Sequence, residues 1–455
     1  DYDASQSKLA METARYCLMD SLACGLMALD YPECTKLLGP VVPGANLAGG
    51  TRVPGTAYEL DPVKAAWDIG CVVRFLDFND TWLAAEWGHP SDNLGAILGI
   101  ADWLSRKRVS EGKAPLVMKD VLTAMVQAHE IQGVTALENA FNRVGLDHVM
   151  LVRIASTVVA AKMLGGTREE VLNAASHAWI DGCSLRTYRH APNTGSRKSW
   201  AAGDASSRGV RLALIALTGE MGYPSALTAK TWGFQDALFR GNELKFSQGF
   251  GSYVMENILF KISFPAEFHA QTAVECAMQL HPAVKDRLDQ IERIEIETQE
   301  AGCRIIDKTG PMNNYADRDH CIQYMVAVPL IKGGLTASDY GDAAAADPRI
   351  DALRAITTVK ENPRFSTEYL EADKRFIGNS VQVFFKDGTA TEKVSIDAPI
   401  GHRQRRGEGI PVLVKKFEAA IAAKLSAKKC AALNTMCADQ ARLEATPVQD
   451  FMGLF

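Results

Sequence analysis

The period of the apolar pattern changes once along this chain, and that change most limits what it can fold into. From residue 5 to about 265 apolar side chains recur every three or four residues, the spacing that gathers them on one helix face. "METARYCLMDSLACGLMAL" (11–29), "DPVKAAWDIGCVVRFLDFND" (61–80), "MLVRIASTVVAAKMLGG" (150–166) and "ASSRGVRLALIALTGEMG" (205–222) all follow it. Thr167 and Glu170 have the spacing of a capping box, opening a further helix. After Pro265 the texture changes. "IERIEIETQE" (291–300) alternates apolar with charged residues, and "NSVQVFFKDGTATEKVSI" (379–396) reads as two strands around an Asp387-Gly388 turn. Helical spacing returns at 320–331, at 347–356 and from Pro411 onward. The expected fold class is mainly α with a smaller α+β domain: a helical domain over 1–265, rejoined by 405–455, and an α+β domain over 266–404.

Length and charge narrow the function classes. A chain of 455 residues exceeds one ordinary core, and 47% hydrophobic with 23% charged residues is a globular composition. A net charge of -5 argues against a general nucleic-acid or anionic-membrane binder, so any anion site must be local. "CLMDSLACGLMALD" (17–30) is too short to span a bilayer and contains Asp20 and Asp30, so it reads as a core helix. The 10 cysteines include no C-x-x-C, which disfavours zinc ribbons and iron–sulfur hydratases and points to reduced core cysteines in a cytoplasmic protein. The chain starts at Asp1 rather than methionine, so an upstream segment is expected, with room for a cleaved leader.

Against that acidic background, "RTYRHAPNTGSRKSWAAGD" (186–204) stands out. Arg186, Arg189, Arg197, Lys198, Arg208 and Arg211 lie within one stretch with Asp204 as its only acid, about twice the cation density of the chain. Arg208 and Arg211 flank the apolar face of the following helix and read as solvated. Pro192, Asn193 and Gly195 make residues 186–198 a loop, and arginine forks on such a loop suit carboxylates or phosphates. "TGSRKS" lacks the glycine frame of a phosphate loop, which disfavours a nucleotide.

A second constellation is "LDFNDTWLAAEWGHPSDN" (76–93). If the preceding helix continues, Asp77, Asp80 and Thr81 share one face, and Ser91 or Asp92 caps the next helix. Capping carboxylates at an ordinary helix end would look the same. His89 joins this group. No metal is expected, since there is no H-x-H or H-E-x-x-H and "HEIQG" (129–133) lacks a second histidine. His148 sits where a loop meets a helix, Lys261 and His269 lie beside Pro265, and "ADRDHCIQY" (316–324) offers Arg318, His320 and Tyr324. With no G-x-S-x-G nucleophile either, the chain supplies bases, acids and cations. That set suits proton transfer on a polyanionic acid: removing a proton next to a carboxylate builds a dianionic transition state, which cations stabilise while a neutral base takes the proton.

These same stretches, with "NRVGLDHV", "FKISFPAEFHAQTAVE" and "PIGHRQRRGEGIP", resemble the 2-methylcitrate dehydratase (MmgE/PrpD) family over essentially the whole chain. The resemblance implies a large helical domain with an α+β lid and the active site between them. It also implies cofactor-independent dehydration of 2-methylcitrate to 2-methyl-cis-aconitate, in propionate breakdown, by a protein that pairs as a homodimer; from the charge, no nucleic-acid or membrane partner is expected. The family pattern carries onto Asp77, Thr81, His89, His148, Lys198 and Lys261 as catalytic residues. Arg189, His190, Arg197, Arg318 and His320 are expected to bind substrate. The spacer from Thr81 to His89 is longer than in decarboxylase-like relatives, and Lys261 stands one residue further from its Phe-Pro. Which of His89 and His148 is the base stays open. The alternatives are decarboxylation or isomerisation of a tricarboxylate such as cis-aconitate, or a non-catalytic organic-acid binder.

Overall fold

Ser7 opens the first long helix by accepting a bond from the amide of Ala10, so one of the amides that a helix leaves unpaired is satisfied. The computed structural model describes residues 3–181, 184–189 and 194–455. Contacts divide the chain into two compact units. The first holds Asp1–Arg186, Ser199–Ile258 and Pro411–Phe455; the second holds Thr187–Lys198 and Leu259–Ile410.

The first unit is helical. Its main elements are α1 (Lys8–Ala28), α2 (Pro62–Phe75), α3 (Leu94–Ser110), α4 (Met118–Ala136), α5 (Val149–Met163), α6 (Arg168–Ile180) and α7 (Ala201–Ala216). Small side chains make the centre: Ala66, Ala96, Ile100, Ala160, Ala161, Ala174, Val210, Ala213 and Ala216 form one buried cluster. Helix axes approach closely where glycines face one another. A Cβ on Gly70 of α2 would sit 2.8 Å from the Gly203 Cα of α7, and one on Gly203 would sit 2.5 Å from the Trp67 carbonyl oxygen. The Thr167 and Glu170 capping box forms as expected. The helical pattern is broken by a two-strand ladder of β1 (Thr51–Arg52) with β2 (Glu59–Leu60), by a loop after Phe75, and by a stretch from 217 to 252 with a single four-residue helix, Phe234–Ala237. The last helices return to this unit, where Lys416 Nζ donates to Asp20 Oδ1 at 2.7 Å and to the Phe78 carbonyl at 2.9 Å. Seven of the nine described cysteines are buried, the small-core use expected of them.

The second unit is built on a four-stranded sheet in the order β4 (Thr357–Glu361), β3 (Ile291–Thr298), β5 (Asn379–Phe385), β6 (Val394–Ile396). β3 runs parallel to β4 and antiparallel to β5. The alternation of β3 works as expected, with Ile294, Ile296 and Thr298 buried. The expected hairpin forms, with Gly388 at φ 83 and Asp387 Oδ1 accepting from the Thr389 amide. Helices α8 (Gln271–Val284), α9 (Ile322–Lys332) and α10 (Pro348–Ala355) accompany the sheet. The chain is therefore mainly α with a smaller α+β part.

Candidate active site

In the first unit the expected helical face of carboxylates does not form. α2 ends at Phe75, and Asp77 takes a left-handed backbone, φ 50, that stops a helix. Asp77, Asp80 and Thr81 therefore leave the helix and enter a loop closed by paired backbone bonds between Trp82 and Gly88. Ser91 and Asp92 do not cap α3 either. Its N-cap is Asn93, with no side-chain cap bond, because the loop has claimed both groups. Asp80 Oδ1 accepts from the Ser91 amide at 3.1 Å and its hydroxyl at 2.7 Å, while Asn79 Nδ2 donates to Asp92 Oδ1 at 3.0 Å. Local hydrogen bonding has outcompeted helix continuation.

The loop is almost entirely buried, and its histidines are fixed. His89 Nδ1 lies 2.6 Å from the Asp80 carbonyl oxygen, which can only accept, so Nδ1 carries the hydrogen and Nε2 the lone pair of the neutral ring. Thr81 Oγ1 is 3.3 Å from the same nitrogen. Asp77 pairs with Arg74 at 2.6 Å and lies 3.9 Å from His89 Nε2. His148, at the N-cap of α5, stands with its ring 5.7 Å from that of His89 and its Nδ1 3.3 Å from Asp147 Oδ1. Asp77, Thr81, His89 and His148 are thus brought together. Arg186 lies over the Trp87 ring, 3.5 Å from Asp147 and 3.9 Å from Glu86. Burial raises the Glu86 carboxyl to about 7 against the pull of Arg186.

His129, set aside in the sequence for want of a second metal-ligand histidine, is one of the groups that sequence reasoning missed. Its Nε2 meets Asp80 Oδ2 at 2.9 Å and its Nδ1 meets the Met125 carbonyl at 2.8 Å. That bond to His129, with those from Ser91, holds Asp80 below its ordinary carboxylate range although burial opposes it.

The second unit carries its own set. Lys198 lies in a 3-10 turn, Ser196–Ser199, is fully buried, and donates from Nζ to Asp319 Oδ2 at 2.5 Å. Asp319 Oδ1 takes the Nδ1 hydrogen of His320 at 2.6 Å. The turn is anchored upstream, where the Thr194 amide donates to Asp317 Oδ1 at 2.8 Å. Lys261 is buried, 6.0 Å from the Phe268 ring centroid. Burial would raise the Glu267 carboxyl, yet His269, His320 and Lys261 pull it down to about 2. His269 Nδ1 is 2.8 Å from Glu267 Oε1. Arg318 donates to the Tyr340 carbonyl at 2.7 Å and pairs with Asp342. Arg189 is buried and Arg197 exposed, both over the Tyr188 ring. His190 lies outside the described residues.

Sequence reasoning missed the carboxylates that hold these cations and histidines. The signal was present: the dipeptide Asp-His occurs at 147–148 and at 319–320, and "EFH" sets Glu267 two residues before His269. In each case a carboxylate sits within reach of the ring nitrogen.

The helical unit thus holds a buried loop of carboxylates and histidines, and the α+β unit holds two buried lysines with carboxylates and histidines near them. The family model of the MmgE/PrpD N-terminal domain matches residues 2–247 and that of the MmgE/PrpD C-terminal domain matches 264–440; the chain belongs to this family. It is 62% identical over 453 residues to a 2-methylcitrate dehydratase of Salmonella typhimurium, covering 99% of this chain and 94% of that protein. It is 61% identical to a 2-methylcitrate dehydratase of Escherichia coli, covering 100% and 95%. A mitochondrial 2-methylcitrate dehydratase of Yarrowia lipolytica is 62% identical over 90% of this chain and 80% of its own length. Among the described residues, no helix is long and apolar enough to cross a membrane.

Proposed function

We propose that this chain is a hydro-lyase that dehydrates 2-methylcitrate to 2-methyl-cis-aconitate. The observation that carries the reading is identity of 61–62% across essentially the whole chain to proteins named for that reaction. The acid–base and cationic residues supply what the chemistry asks for. Lys198 and Lys261, with Arg189 and Arg197, bind the carboxylates and stabilise the dianion that forms as the carbon-bound proton leaves. His89 is the base: its Nδ1 hydrogen is committed to a backbone carbonyl, which leaves Nε2 to accept. Thr81 lies against the Nδ1 edge, Asp77, 3.9 Å from Nε2, stabilises the imidazolium once the proton has been taken, and His148 stands beside the same ring. Decarboxylation and silent binding are less favoured, because none of these three relatives is named for either. The reaction is proposed to run in the cytoplasm, in keeping with the buried cysteines.

The test is absorbance at the enoate band after racemic 2-methylcitrate is added to EDTA-treated protein, with citrate and cis-aconitate alongside. A rise on 2-methylcitrate well above that on citrate is expected. A flat trace that persists when divalent metal is returned overturns the reading.

A further inference from the structure

Asp319 is assigned no part in the reading above, yet both of its oxygens are spent on members of the second unit's set. Oδ2 takes the Lys198 ammonium at 2.5 Å and Oδ1 takes His320 Nδ1 at 2.6 Å. All three side chains are buried. The carboxylate can only accept, so Lys198 Nζ donates to it and is fixed in one place. The imidazole is held with its hydrogen on Nδ1 and its Nε2 edge turned away from Asp319, the arrangement in which an orienting carboxylate also favours the imidazolium.

The groups facing this triad set the balance of charge. Glu267, Lys261 and His269 come from the segment ahead of α8, and Glu267 feels His320 directly. Lys308 donates from Nζ to Thr194 Oγ1 and is within electrostatic reach of Asp317, Asp319 and Lys198. Arg318 is turned to Tyr340 and Asp342. Within the second unit, Asp319 and Glu267 favour a protonated His320, and the Lys198 ammonium on Asp319 opposes it.

We infer that Asp319 is a positioning residue that fixes Lys198 and makes His320 the proton donor to the departing hydroxyl. The inference rests on the dehydratase reading and extends it, since the sequence analysis expected His320 only to bind substrate and that reading gives it no step. In the step, the base takes the carbon-bound proton and the carbon–hydrogen electron pair becomes the new double bond. The carbon–oxygen bond breaks with its electrons on oxygen, and His320 Nε2–H supplies the proton that makes water. Solvent then returns a proton to His320 and removes one from the base.

The variants are Asp319→Asn, Asp319→Glu and His320→Gln, assayed from pH 5 to 10. Asp319→Asn should lower kcat at least a hundredfold and move the alkaline limb of its pH profile down by about one to three units, because the carboxylate no longer favours the imidazolium. Asp319→Glu should recover part of both. His320→Gln, which keeps the Lys198 to Asp319 pair, should lose that alkaline limb. It should also retain most of its activity on an analogue with fluorine in place of the tertiary hydroxyl, because fluoride leaves without a proton. A purely structural Asp319 would lower the melting temperature and leave the limb in place, and that result overturns the inference. If Asp319→Asn does not fold, His320→Gln decides: equal losses on hydroxyl and fluoro substrates refute the donor role. Failure of the wild-type protein to dehydrate 2-methylcitrate would instead overturn the reading on which this rests.

Discussion

Replacing Lys198 with methionine tests the site and its energetics together. The lysine is fully buried and its ammonium is 2.5 Å from an equally buried carboxylate. Methionine matches its length and apolar volume but strands Asp319 with His320 as its remaining named partner. Breaking a buried pair by removing one member costs about 3–5 kcal/mol, mostly the penalty of the charge left behind. Stability measured by urea unfolding should therefore fall by that amount. Turnover should fall at least a hundredfold, about 2.7 kcal/mol of barrier at 1.36 kcal/mol per tenfold. The double variant Lys198→Met with Asp319→Asn removes the stranded charge, so it should regain much of the stability and none of the turnover. The two readouts separate fold from chemistry. A single variant that unfolds at the wild-type urea concentration would refute the desolvated pair, and one that keeps wild-type turnover would remove Lys198 from the reaction.

His89→Gln should lower kcat by about 10²–10⁴, the usual worth of a positioned base, with KM changed by only a few-fold; steady-state kinetics on 2-methylcitrate decide it. Glu86 titrates near 7 in the folded protein against an ordinary 4.5, so the folded state holds its proton more tightly than the unfolded chain. Its contribution to stability is complete below about pH 4.5 and is lost as the pH rises through 7, at ~1.36 kcal/mol for each pH step between those two values. Glu86→Gln should flatten that part of the stability profile in chemical melts between pH 5 and 8. Gly70→Ala places a methyl 2.8 Å from the Gly203 Cα, and since backbone rather than a flexible side chain must yield, it should cost about 1–3 kcal/mol by thermal melting.

Periodicity marked out the long helices and the central strands. Three-and-four spacing within 11–28, 62–75, 150–163 and 205–216 and the alternation of 291–298 are local consequences of burying one face of a helix or strand, so they survive translation into structure; the same spacing read on to Pro265 did not, since 217–252 holds a single four-residue helix. The Thr167 and Glu170 cap and the Asp387-Gly388 turn were legible for the same reason: each is decided within a few residues. The residue types of the site were also legible, through cations crowded on a loop in an acidic chain and through the family resemblance.

What the sequence misjudged was decided by contacts distant along the chain. The spacing of Asp77, Asp80 and Thr81 suited a helix, but Asp77 adopts φ 50 and Asp80 is taken by Ser91 and by His129, 49 positions away. The partner of Lys198 lies 121 residues along the chain, at Asp319. Taken alone, the Asp-His dipeptide at 319–320 says only that the carboxylate is near the ring. Tertiary structure alone brings the lysine to its other oxygen, because a buried charge must find a partner, and which partner it finds depends on how the chain closes on itself.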